Sequence, residues 1–502
     1  MNEDGCVPHL SDGIKQKCID QRWPLPGEPK CVICCRYGEY ICDETNDDIC
    51  SLECKHTLLN PRVFPATDEC FYVGSSSTTD SLLLRRKLDI HVQGAAVPPP
   101  LLSFTSCGLP PKLLLNLETA GYDFPTPIQM QAIPAALTGT SLLASADTGS
   151  GKTASFLVPI VSRCATYRSQ HPSSSHPRNP LALVLAPTRE LCVQVEDQAK
   201  MLGKGLPFFK TALVVGGDPI SAQLYRIQQG VELIIGTPGR LVDLLARHTI
   251  ELDDVMMFVL DEVDCMLQRG FSDQVMQIFR ALSQPQVLLF SATLSKDVEK
   301  VGRSLAKGEM ILISIGNPNR PNKAVKQLAI WVDAKQKKQK LFEILRSQNH
   351  FKPPAVVYVS SRAGADLLAN AITVVTGIKA LSIHGEKPMR ERRDVMGSFL
   401  GGEVPLLVST GVLGRGVDLL VVSQVIVFDM PNTIKEYIHV IGRASRMGEE
   451  GSAILFVNEE SRNMFPDLVV ALKSCGAVIP KQLTSLTSAR EMHSNKKRRV
   501  GY

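Results

Sequence analysis

Residues 142–153 read LLASADTGSGKT, and the fold follows from how that stretch is read. Leu142, Leu143 and Ala144, with Ser145 and Ala146 behind them, have the character of a short buried strand. The strand enters a glycine-rich turn, Asp147-Thr148-Gly149-Ser150-Gly151, ahead of Lys152 and Thr153. The next residues, ASFLVPIVSRC, carry apolar side chains at helical spacing, so a helix opens directly off the turn. Such a unit cradles an anion: glycines let backbone N–H groups converge, and the helix N-terminus adds partial positive charge. Lys152 then reaches the outer phosphates of a nucleotide, and Thr153 offers its hydroxyl to Mg2+. Ala146 stands where the strict phosphate-loop pattern has its first glycine, so the stretch alone also fits an ordinary glycine-rich turn.

The chain's 502 residues exceed one hydrophobic core, and about three domains are expected. Its 44% hydrophobic and 21% charged residues are those of a globular protein, and no run of 18 apolar residues predicts a membrane span. The first residues, MNEDGCVPHL, are acidic and lack the apolar stretch of a secretory leader, so a nuclear or cytoplasmic protein is expected rather than a secreted one. Residues 1–80 hold 7 Lys/Arg and 14 Asp/Glu, a net −7; the remainder carries +12, which suits a polyanionic partner. Nine of the 14 cysteines precede residue 71, a density that points to metal rather than disulfides.

Those cysteines include Cys31 and Cys34, Cys42, and then Cys50 and Cys54. Two close pairs at this separation can close one tetrahedral thiolate site around Zn2+; buried reduced cysteines are the alternative. The segment CVICCRYGEYICDETNDDICSLECKH also resembles a HIT-type zinc finger. The resemblance assigns Cys31, Cys34, Cys50 and Cys54 to a first zinc. A second would rest on Cys42 and His56, with Cys70 as a further candidate, because Thr45 stands where that family has cysteine. It implies protein docking rather than nucleic-acid reading, and the acidic charge agrees. The finger is placed at 28–60 behind a tail (1–27). A flexible linker is expected at 61–100, from Gly74-Ser75-Ser76-Ser77 to Pro98-Pro99-Pro100, with one helix candidate at LLLRRKLDI.

From Phe104 onward, apolar runs alternate with helical patterns: LALVLA (181–186), TALVV (211–215), ELIIG (232–236), MMFVL (256–260) and VLLF (287–290). Continuous Val/Ile/Leu strands between helices predict a parallel sheet covered on both faces. A second series runs through AVVYV (355–359), KALSI (379–383), PLLVS (405–409), VIVF (425–428) and AILFV (453–457). Two α/β domains, 101–316 and 327–485, are therefore expected, with a hinge at 317–326 and a cleft between them. Asp261-Glu262 follows MMFVL at the tip of a buried strand, where a doubly wound sheet places acids opposite the phosphate loop. Asp261 would hold Mg2+ and Glu262 would orient or deprotonate water.

With these residues in place, 104–480 resembles the core of a DEAD-box RNA helicase. The implied architecture is two tandem RecA-like parallel-sheet domains preceded by a small zinc-binding domain. Gly121-Tyr122-Asp123-Phe124-Pro125-Thr126-Pro127-Ile128-Gln129 matches the family's adenine-reading motif, which implies that Gln129 hydrogen-bonds adenine and Phe104 stacks on it. The nucleotide is then ATP. Pro187-Thr188-Arg189-Glu190-Leu191, Gly216-Gly217 and Thr237-Pro238-Gly239-Arg240 match the RNA-facing motifs of the first domain, and Thr410 one of the second. Ser291-Ala292-Thr293 matches the coupling motif between ATP and RNA. Asp418 is implied near the ribose; Arg443 and Arg446, three residues apart, can project from one helical face as arginine fingers.

The chain departs from the family at Val263 (usually alanine), Val440 (usually arginine), Ala444, Ser445 and Met389 (usually glutamine), which bears on coupling and unwinding more than on ATP binding. Three readings follow: an ATP-dependent RNA helicase with a monomeric core; an assembly adaptor whose finger docks a partner while the core clamps RNA; and a DNA helicase. The basic tail (486–502), with Lys496-Lys497-Arg498-Arg499, reads as a nuclear signal, an RNA contact or a solvated tail.

Overall fold

A computed structural model of the chain describes residues 15, 21–22, 28–29, 31, 37–42, 48–52, 54–55, 78–171, 179–207, 209–306, 309–316, 324–411, 422–444 and 451–483. It divides into a unit at Met1–Ser75 and a unit at Ser76–Tyr502. In the first, β1 (Tyr40–Ile41) pairs antiparallel with β2 (Asp48–Ile49). Its core among the described residues is Cys31, Cys42, Ile49, Cys50 and Cys54, too small to hold a fold without a further constraint.

The second unit contains two sheets. One is built from β3 (Ile90–Gln93), β4 (Ser141–Ser145), β5 (Ala182–Leu185), β6 (Thr211–Val214), β7 (Leu233–Gly236), β8 (Met257–Leu260), β9 (Gln286–Ser291) and β10 (Met310–Ile315), in the order β3-β10-β4-β9-β8-β5-β7-β6. All pairs are parallel except β3 with β10. The strands feed two separate apolar clusters by alternation: Ala182 and Val184 pack on one face, Leu183 and Leu185 on the other. Burial on both faces is why these segments read as continuous apolar runs.

The other sheet, β11 (Val325–Trp331), β12 (Ala355–Tyr358), β13 (Ala380–Ile383), β14 (Leu406–Ser409), β15 (Gln424–Val427) and β16 (Gly451–Val457), has the order β11-β16-β15-β12-β14-β13 and is parallel throughout. It too divides its residues between two clusters, with Val425 and Val427 facing one and Ile426 the other. The stretch read as hinge overlaps β11, which begins at Val325.

The expected linker is corrected in its second half. The helix candidate there is met by a helix at Thr78–Lys87, whereas β3, where linker was expected, adds an antiparallel edge strand with Ile90 opposite Ile315 and Val92 opposite Ile313. Arg85 pins this arm, donating from Nε to Gln131 Oε1 at 2.9 Å and from Nη2 to the Pro98 carbonyl at 2.8 Å. Pairing with β3 covers the six-residue β10 and leaves the shorter β3 as the sheet edge.

Candidate active site

The carboxyl ends of β4, β9 and β8 lie side by side, and they carry the chemistry. Ser145 pairs with Ser291, and the Ala146 N–H donates to the Ser291 carbonyl at 3.3 Å. Gly149 (φ 76°) and Gly151 (φ 95°) occupy left-handed backbone conformations, and a Cβ on Gly151 would meet Gln129 Nε2. The helix Lys152–Gln170 opens there, with Thr153 half-buried in its first turn. Lys152 is buried and donates to the carbonyls of Ala146 and Asp147, both at 2.7 Å. Burial pushes its pKa down, against the nearby Asp261, Glu262, Asp147 and Asp264.

Gln129 lies on the helix Pro127–Leu137 and is fully buried. Its Oε1 accepts from the Thr126 N–H at 3.0 Å and its Nε2 donates to the Gly151 carbonyl at 3.2 Å, while Thr126 Oγ1 donates to the Ser150 carbonyl at 2.7 Å. The amide expected on adenine thus braces the phosphate loop. Phe104, on a short turn at Phe104–Cys107, packs into the domain's main apolar cluster and is 5% exposed.

Asp261, just beyond β8, accepts from the Glu262 N–H at 2.9 Å. Burial, and then the adjoining Glu262, push its carboxyl up to about 7. Glu262 takes a left-handed φ of 53°, a strained conformation of the kind found at functional sites. Its Oε2 makes no hydrogen bond among the described residues. Oxygen donors at Asp261 and Thr153, beside buried negative charge that desolvation disfavours, fit Mg2+.

Asp264 is the hub between the two sheets' domains. Its Oδ2 accepts from the Thr293 N–H (3.1 Å), Thr293 Oγ1 (2.5 Å) and His439 Nε2 (3.1 Å). Burial alone would raise this carboxyl; His439, Thr293 and Ser291 together hold it well below the usual range. Ser291 Oγ donates to the Thr293 carbonyl at 2.7 Å, and Ala292 is buried between them. From the second domain, Arg443 Nη2 lies 3.5 Å from Glu262 Oε1, and the Gly442 carbonyl accepts from Thr148 Oγ1 at 2.9 Å. Arg443 sits on a 3-10 turn at Gly442–Ala444, not on the preceding helix Ile434–Ile441. Arg446 and Asp418 lie outside the described residues.

The motifs expected on nucleic acid converge on one cavity of about 490 Å³. Pro187, Thr188, Arg189, Gly216, Thr237, Gly239 and Arg240 line it from the first domain, and Gly385 and Arg392 from the second. Thr188 Oγ1 caps the helix Arg189–Leu202, accepting from the Leu191 N–H at 3.2 Å. Gly216 and Gly217 press against the Arg189 guanidinium, and a Cβ on Gly217 would lie 2.6 Å from its Nη1. Pro238 is buried in the first turn of Pro238–Ala246, and Thr410 is buried one residue past β14. Arg392, ion-paired with Glu190, has its pKa lowered to about 10 by burial and by Arg189. Two guanidiniums that repel one another are a ready seat for a phosphate. Sequence reasoning missed Arg269, Phe271 and Gln274 on the cavity wall; they lie on and after the Gly270 turn between two helices, without the strand that marked the other motifs.

In the small unit, the sulfurs of Cys31, Cys50 and Cys54 lie within 4.8 Å of one another, all buried, with Cys50 and Cys54 3.5 Å apart. Cys42 belongs to the same core but not to this cluster. Cys34 and His56 lie outside the described residues. Three converging thiols are a soft donor set suited to Zn2+.

The sequence model of the DEAD/DEAH box helicases matches residues 126–301, and that of the helicase conserved C-terminal domain matches 336–448. The chain is 84% identical to DEAD-box ATP-dependent RNA helicase 41 of Arabidopsis thaliana, with all of both chains covered. It is 44% identical to the human probable ATP-dependent RNA helicase DDX59 over 94% of this chain and 78% of that one. Among solved structures it is similar to S. cerevisiae Dbp5 bound to RNA and ADP BeF3 (29% identity, TM-score 0.65, 76% of this chain and 95% of that one). It is also similar to Mss116 bound to ssRNA and UDP-BeF (25% identity, TM-score 0.67, 76% and 81%). With both family models matched across two RecA-like domains, and relatives at 84% and 44% identity, this chain belongs to the DEAD-box ATP-dependent RNA helicases.

Proposed function

We propose that the chain closes its two domains on ATP and single-stranded RNA together, and uses hydrolysis to reopen them, separating short duplexes or remodelling RNA–protein complexes. The observation that carries this reading is Asp264: one carboxylate joins the acidic strand tip, the Ser291-Ala292-Thr293 segment and His439 of the second domain. Closure therefore completes the nucleotide site and the RNA cavity in one movement. Lys152 and the loop amides hold the phosphates, while Gln129, Phe104 and Asp418 hold the adenosine. Asp261 anchors Mg2+, which neutralises charge on the phosphates when bound. Glu262 orients water, and Arg443 with Arg446 meets the charge that develops on the transferred phosphoryl group. Thr188, Arg189, Gly217, Thr237, Pro238, Gly239, Arg240 and Thr410 grip sugar and phosphate without reading bases. That the similar chains Dbp5 and Mss116 were solved bound to RNA supports RNA as the ligand.

RNA-stimulated ATP turnover is the test. Glu262→Gln is expected to lower it by about 10²–10⁴-fold, and Lys152→Ala to abolish it. Normal turnover in either variant would sink the proposal. The adaptor reading draws on Val440, buried in the second domain's core where an arginine is usual. Duplex release measured beside ATP turnover separates the two, since a clamp hydrolyses ATP with little strand separation.

The N-terminal unit is proposed to be the zinc finger, with Cys31, Cys34, Cys50 and Cys54 as ligands and a protein as its target. Its charge of −7 over residues 1–80 disfavours nucleic acid. A chelator should release one zinc per chain and leave RNA affinity unchanged. Zinc-free protein as purified, or RNA affinity lost with the metal, contradicts this.

A further inference from the structure

Two charged contacts cross between the domains on the RNA side. Glu190 with Arg392 is buried, but Asp218 with Arg393 stands apart from every motif assigned above. Arg393 Nη2 lies 2.9 Å from Asp218 Oδ2, with the two side chains 49% and 29% exposed. Asp218 directly follows Gly216-Gly217, the pair packed on the Arg189 guanidinium. Its backbone carbonyl accepts from Arg240 Nη1 at 3.0 Å, and Gln223 Nε2 fixes the same turn through the Val215 carbonyl at 2.8 Å. The carboxylate that meets Arg393 is therefore mounted on the loop that positions two of the RNA-facing arginines.

Close by, the cleft is apolar. Met389 packs with its Cγ 3.3 Å from where a Cβ on Gly217 would stand, and a thioether offers no hydrogen bond across the gap to match a charged pair. We propose that Asp218 and Arg393 form an RNA-side latch: a pair of positioning residues that exists only when the domains are closed, and that makes loop placement by RNA and closure favour one another. This deepens the closure reading above and rests on it. Neither residue touches nucleotide or RNA in this scheme; both act through the 216–218 loop.

The test is a double-mutant cycle on the full chain: Asp218→Asn, Arg393→Gln and both together. A single-stranded RNA oligonucleotide is the probe, and the readouts are half-saturating RNA, saturated rate and unstimulated rate. Each single change is expected to raise half-saturating RNA about two- to fivefold at low salt, as for a partly exposed ion pair. Saturated and unstimulated rates stay the same. The double variant is no worse than either single one, and all differences shrink in high salt. If Arg393→Gln has the same effect with or without Asp218→Asn, or neither single change alters RNA dependence, the latch is overturned. Wild-type protein without RNA stimulation would instead overturn the closure reading, so the two failures are distinguishable.

Discussion

Asp264 shows how much one side chain can decide. It is the third acid of Asp261-Glu262-Val263-Asp264, and the three hydrogen-bond donors to its Oδ2 come from two domains. The Thr293 bonds are internal to the first domain, so the proposed closure does not depend on them. His439 comes from the second domain and is the donor that the proposed closure would bring in; the pair is 1% exposed on both sides. Removing His439 therefore weakens closure rather than nucleotide binding. His439→Ala is expected to cost about 1.5 kcal/mol, the scale of a hydrogen bond to a buried charge, and so to reduce RNA-stimulated ATPase at limiting RNA about tenfold. Affinity for a fluorescent ATP analogue should hold, because the phosphate loop and Gln129 belong to the first domain; a comparable loss there would refute the separation. The depressed Asp264 carboxyl gives the sign of any pH effect. Its contribution is present above the unfolded carboxylate range and is lost only as pH falls towards the lower folded value, so Asp264 makes no switch near neutrality.

At the scale of elements, legibility followed burial. Strands covered on both faces, such as Ala182–Leu185 and Leu406–Ser409, are uninterrupted apolar runs, and sequence placed them within a residue or two. The phosphate loop was legible because glycine is needed where φ turns positive, at Gly149 and Gly151. Edge elements were not legible. Ile90–Gln93 spans four residues with two apolar side chains, and its place is fixed by pairing with Met310–Ile315, more than two hundred residues away in sequence. Composition nearby, glycine and serine before it and three prolines after, reads as linker, whereas Arg85 and Gln131 fasten the arm to the helix that carries Gln129. The site residues divide the same way. Those on strand tips and glycine turns carry local signatures; Asp218, Gln274 and Arg393 derive their roles from neighbours brought in by the fold.

Across the whole second unit, the described contacts between the domains at the nucleotide end are Thr148 with Gly442, Glu262 with Arg443 and Asp264 with His439; Glu190 with Arg392 and Asp218 with Arg393 serve the RNA end. These five pairs are polar, and polar contacts desolvated on closing return little net free energy; the apolar contact of Met389 with the Gly217 loop adds modestly to them. Closure is then near balance by itself, and the ligands tip it. RNA tips it largely through phosphate charge, so affinity should fall with salt at a log–log slope of about −0.7 for each phosphate neutralised on a single strand. Arg189→Ala and Arg240→Ala each remove one such cation from the cavity and are expected to flatten the slope by about 0.7. Arg443→Ala lies at the other end; it should weaken RNA binding in the presence of a non-hydrolysable ATP analogue while leaving the slope as it was. Fluorescence anisotropy of a labelled single strand, titrated over a series of salt concentrations, measures all three. A slope unchanged in both cavity variants would move the RNA track off Arg189 and Arg240, whereas a slope flattened by Arg443→Ala would place phosphate where the nucleotide's partner is expected.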